Sequence, residues 1–101
     1  QKIKMFEKMK SALGVKTVDF DALIKAGAII VDVRTPDEFK AGQGLNTINI
    51  PLQSLKKRIK ELKGKEVILV CLSGMRANQA KAILKENGIT AHNAGSWTRF
   101  R

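Results

Sequence analysis

The residues best suited to chemistry in this chain stand together as Cys71-Leu72-Ser73-Gly74-Met75-Arg76. Cys71 ends an apolar run, Val67–Cys71, and the residues after it lead into a helical pattern. A short loop in that place turns its backbone N–H groups toward one point, and the helix N-terminus behind it adds partial positive charge. Arg76 adds a full charge on a planar fork suited to oxyanions. Gly74 lets the backbone turn closely with no side chain in the way. The result is an anion nest with a sulfur at its floor. Such surroundings favour the thiolate, which attacks an electrophile without a separate base. A cysteine at a strand end is ordinarily a buried apolar residue; here the loop, Gly74 and Arg76 decide for a nucleophile. Ser73 is either a hydrogen-bond donor to substrate or a small loop residue. Met75 is either an apolar lip or plain surface.

A second polar group, Asp32-Val33-Arg34, closes another apolar run. Ligands of open α/β sheets bind beyond the C-terminal ends of the strands, so both groups stand where a site belongs. Asp32 and Arg34 read as an ion pair or hydrogen-bonding set beneath the loop, with donor contact as the alternative. His92 reads as a surface residue near a strand end, and Trp97 as core or rim packing. One Cys and one His exclude a disulfide framework, multi-cysteine zinc sites and paired-histidine metal motifs. No cofactor and no metal are expected.

The elements that must position these residues alternate. Asp19 or Asp21 caps a short helix through Leu23–Lys25, closed by Gly27. Ala28–Val33 is a short β-branched run, as in a buried parallel strand. Thr35-Pro36-Asp37-Glu38 is a capping box with proline at the first helical position, opening a helix over Pro36–Ala41 that Gly42 and Gly44 end. Thr47–Ile50 is a second strand, stopped by Pro51. Ser54 caps a helix from Leu55 to Leu62 with a solvated lysine-rich face. Val67–Cys71 is apolar throughout. A helix runs from Arg76 or Ala77 to Glu86, and Asn87-Gly88 ends it. Residues 89–93 add a strand, and Gly95-Ser96 leads to a last turn with Trp97 and Phe100. Alternating strands and helices predict an α/β fold: a mainly parallel central sheet with helices on both faces. Residues 2–13 form a separate amphipathic pattern, so the chain divides into a helical extension over 1–14 and one domain over 15–101.

With 101 residues there is room for a single core. The net charge of +10 attracts anions without choosing among them. With no Tyr and only 5% aromatic residues, base stacking is poorly supplied, so no nucleic-acid partner is expected. No apolar run reaches the length of a membrane span.

Four segments, in order and at fitting separations, resemble the single-domain rhodaneses, or thiosulfate sulfurtransferases. They are Asp32-Val33-Arg34 with Glu38-Phe39 and Gly42; Ile48-Asn49-Ile50-Pro51-Leu52; Cys71-x-x-Gly74-x-Arg76; and Ala94-Gly95-Ser96-Trp97. The resemblance implies a rhodanese-like fold and a nucleophilic Cys71. It also implies a binding loop of Leu72, Ser73, Gly74, Met75 and Arg76, supported by Asp32 and Arg34. It implies a small anionic sulfur donor, a thiol or protein acceptor, and a monomer. Related Cys-dependent phosphatases have a longer loop between Cys and Arg, so the resemblance implies sulfur transfer rather than phosphate-ester hydrolysis. Gln43, Asn46, Ala77 and Phe100 depart from the family's usual residues and bear on donor and acceptor preference, not on the nucleophile. The alternative is a non-catalytic rhodanese-like module that binds an anion or a protein. The lone thiol favours the cytoplasm, and the missing initiator Met keeps the periplasm open.

Overall fold

The computed structural model describes residues 17–101. The helix expected over residues 2–13 lies outside them. A short helix α1 (Phe20–Lys25) comes first, with the Asp19 carboxylate accepting from the Ala22 N–H. Strand β1 (Ile29–Asp32) and helix α2 (Pro36–Ala41) follow, then strand β2 (Thr47–Asn49) and 3₁₀ turns over Leu52–Glu61. Strand β3 (Val67–Cys71), helix α3 (Met75–Glu86), strand β4 (Ala91–Ser96) and a 3₁₀ turn (Trp97–Phe100) complete the chain.

The strands form one sheet in the order β2-β1-β3-β4, parallel at every step. Alternation along β1 and β3 sends side chains to two separate cores. Val31, Val67, Leu69 and Cys71 face one side, where Leu55, Leu62, Ala77, Ala80 and Leu84 cover them. Ile30, Ile68 and Val70 face the other, where Phe20, Leu23, Trp97 and Phe100 pack. Both faces are dry, and for that reason Val67–Cys71 is apolar without interruption. Among the described residues no helix is long and apolar enough to cross a membrane.

Several boundaries differ from the sequence-based expectation. The helix predicted over Leu55–Leu62 is a run of 3₁₀ turns that begins directly after Pro51 and breaks at Arg58 (φ −114°, ψ 17°). Ser54 is not its cap. Leu52, Leu55, Ile59 and Leu62 still reach the core. Arg58 leaves the helical path, donating to the Asn49 carbonyl and pairing with Glu61. Helix α3 begins at Met75, so Met75 and Arg76 belong to its first turn rather than to the loop. Strand β4 runs on to Ser96. Between Leu69 and Cys71 the β3–β4 register shifts, and Ser96 becomes the partner of Cys71. The irregularity is a bulge at Gly95, whose φ is +79°.

Candidate active site

Cys71 ends β3 with its side chain almost wholly enclosed, 1% exposed. Its Sγ accepts the Gly74 N–H at 2.9 Å. That contact needs the backbone at residue 74 to reverse, and Gly74 does so at φ +100°, ψ −8°, as the N-cap of α3. Leu72 and Met75, in the same stretch, are 60% and 75% exposed. The thiol is buried with one aligned N–H beside it, and two apolar side chains close by in sequence are exposed.

Asn93 of β4 locks this turn. Its Nδ2 donates to the Gly74 carbonyl at 2.8 Å, and its Oδ1 accepts the Gly95 N–H at 2.9 Å. The Gly74 carbonyl also takes the Asn78 N–H as α3 begins. One amide thus fastens the cysteine turn to the bulge opposite Cys71. Sequence reasoning missed Asn93. Its signal was a polar amide inside a short strand, followed at once by Ala94-Gly95.

The structure places Arg76 differently from a simple anion ligand. Its Nη1 and Nη2 donate to the two oxygens of Glu38, at 2.6 and 3.0 Å. Glu38 also closes the α2 capping box, accepting from the Thr35 N–H while its own N–H donates to Thr35 Oγ1. These donors, with the Arg76 guanidinium foremost, hold the Glu38 carboxyl down at about 2. The same hydrogen bond pushes Arg76 above its ordinary value. Glu38, read from sequence as a cap, is therefore also the strut that fixes the start of α3 against α2.

Asp32 and Arg34 form the expected buried pair, at 0% and 4% exposure. Arg34 Nε and Nη2 donate to the Asp32 carboxylate at 2.8–3.0 Å. Its Nη1 and Nη2 also reach the carbonyls of Glu38 and Gly42. The guanidinium lies over the Trp97 ring, 4.5 Å from the centroid. Asn49 donates to the carbonyls of Asp32 and Arg34. This set ties β1 to α2 and β2, and none of its hydrogen bonds reaches the sulfur. His92 stands on β4 opposite Ile68 and pairs with Glu66 at 2.7 Å. It lies three residues back along the sheet from the Cys71 level, roughly 10 Å, so it is not a base for the thiol.

Beside the turn an open depression of about 530 Å³ runs from Ser73, Gly74 and Met75 to Asn93, Gly95 and Arg99. Among the described residues no cluster of side chains is arranged to hold a metal ion.

This geometry meets clear counterparts among known proteins. The Rhodanese-like domain family matches residues 16–101. Thiosulfate sulfurtransferase PspE of Escherichia coli is 36% identical over 95 residues, 90% of this chain and 88% of that protein. Uncharacterized protein YqhL of Bacillus subtilis is 42% identical over 64 residues, so the match spans about half of that relative's length. A solved structure of a rhodanese with anions from E. coli superposes with a TM-score of 0.63 at 33% identity, over 71% of this chain and 89% of that one. The chain belongs to the rhodanese-like family, and its parallel α/β sheet is that family's fold.

Proposed function

We propose that this chain is a sulfurtransferase that carries a sulfane sulfur on Cys71. The donor is thiosulfate or a similar compound, and the acceptor is cyanide, a thiol or a carrier protein. The observation that carries the reading is the Cys71 sulfur at the floor of the turn with the Gly74 N–H directed at it, 2.9 Å away. The relationship to PspE, which bears the name thiosulfate sulfurtransferase, supports the choice of donor.

The reaction is a double displacement. A lone pair of the Cys71 thiolate attacks the outer sulfur of thiosulfate. The bond from that sulfur to the sulfonate sulfur breaks, and its electron pair leaves with sulfite. Cys71 then holds a persulfide anion. The Gly74 N–H, aimed at Sγ, stabilises the attacking thiolate from a fixed position. An acceptor such as cyanide takes the outer sulfur as thiocyanate and returns the thiolate. Arg76 and Glu38 hold the turn in register. Steady-state thiocyanate production tests the scheme. Parallel double-reciprocal lines for thiosulfate and cyanide are expected, and intersecting lines contradict it.

A further inference from the structure

We infer that the depression beside the Cys71 turn is the subsite for the charged end of the sulfur donor, with Arg99 taking its sulfonate. The inference rests on the sulfurtransferase reading of Cys71. A dianionic donor meets several arginines near this end of the sheet: Arg58 is paired with Glu61, Arg101 lies on the Trp97 ring and does not line the depression, and two more are committed. Arg34 is buried on Asp32. Arg76 is held by both oxygens of Glu38. Their charges are already balanced by carboxylates. Arg99 forms no salt bridge among the described residues, although it also lines the next depression along, together with Asp19 and Asp21.

Arg99 is nonetheless held in place. Its Nε donates to the Ala94 carbonyl at 3.0 Å, and its guanidinium lies 5.0 Å from the centre of the Phe20 ring. Neither contact cancels its charge, and both leave the two Nη groups available. A fork with a fixed plane and no salt bridge among the described residues is what a sulfonate needs. Arg99 lines the same depression as Ser73, Gly74 and Met75 of the cysteine turn. Its segment also starts from Ser96, the sheet partner of Cys71. Asn93 secures the ground between them through the Gly74 carbonyl and the Gly95 N–H.

The probes are iodoacetate and iodoacetamide, an anionic and a neutral reagent of nearly equal size, whose rates of alkylation of Cys71 are read by intact mass. The ratio of the two rates reports an anion handle without requiring sulfur transfer. In Arg99→Gln the iodoacetate-to-iodoacetamide ratio is expected to fall about tenfold, the scale of one lost charged hydrogen bond. Arg99→Lys should recover part of it. Thiosulfate needed for half-maximal persulfide formation should rise by a similar factor, with the limiting rate little changed. Lys85→Gln, at the far end of α3, controls for the bulk field and should leave the ratio alone. An unchanged ratio in Arg99→Gln, or an equal fall in Lys85→Gln, overturns the inference. A ratio that falls as expected while the unaltered chain gains no sulfur from thiosulfate keeps the anion handle and removes the donor reading.

Discussion

Replacing Gly74 by Ala should damage stability and sulfur capture together, by amounts the backbone sets. Gly74 holds φ +100°, where an L side chain is strained. Space is not the problem: a Cβ there would lie 3.4 Å from the Gly95 Cα, an ordinary contact. The cost is therefore conformational, about 1–2 kcal/mol. For a domain of this size each kcal/mol lowers Tm by about 4–8 °C. Alternatively the turn relaxes out of positive φ. The residue 74 N–H then leaves Sγ, and its carbonyl leaves Asn93. In that relaxed turn the Cys71 sulfur loses its aligned donor. A hydrogen bond to a charged group is worth about 1.5–3 kcal/mol, so losing it from the thiolate should slow sulfur capture at least about tenfold. The assay pairs thermal unfolding with single-turnover persulfide formation, followed by intact mass. Gly74→Asn serves as the comparison, because Asn tolerates positive φ better than other side chains; it should fall between Ala and Gly in both readouts. A Gly74→Ala protein that takes up sulfur at the original rate would refute the role given to this N–H. One with unchanged Tm would refute the role given to the backbone angle.

Two further perturbations test the supporting residues. Asn93→Ala should slow the limiting rate of persulfide formation about fivefold, the scale of one ordinary hydrogen bond; an unchanged limiting rate would contradict the positioning role. Glu38→Gln should remove an acid-sensitive part of the stability. The Glu38 carboxyl is held at about 2 in the fold, below its ordinary 4.5. Its contribution is therefore complete above pH 4.5 and is lost as pH falls through 2. The gap in urea midpoint between the parent and Glu38→Gln should stay constant above that window and close within it; a gap that ignores pH would count against the Arg76–Glu38 pair.

Much of this architecture was legible in the sequence because local rules and tertiary demand agree there. Val67–Cys71 is apolar at every position because both faces of β3 are covered. Thr35, Pro36 and Glu38 form the capping box that their spacing announces. The buried Asp32–Arg34 pair was also legible, since two charges closing an apolar run need each other. The 3₁₀ turns over Leu52–Glu61 were not, because the 3.6-residue pattern of leucines and isoleucine fits a regular helix equally well. What breaks it is Arg58 turning toward Asn49, a contact that exists only once β2 is in place. Strand β4 was read short because Gly95 signals an end, whereas the sheet absorbs it as a bulge. The same blindness hid Asn93, whose partners Gly74 and Gly95 come together only across β3 and β4. Arg76 was read by its charge alone, and its partner lies 38 residues away in sequence.

The most direct measurement is the intact mass of the protein after thiosulfate and again after cyanide. A sulfurtransferase working through Cys71 gains one sulfur atom, about 32 Da, loses it to cyanide, and gains none as Cys71→Ser. No gain on a free, reduced thiol, or an equal gain in Cys71→Ser, would contradict the account.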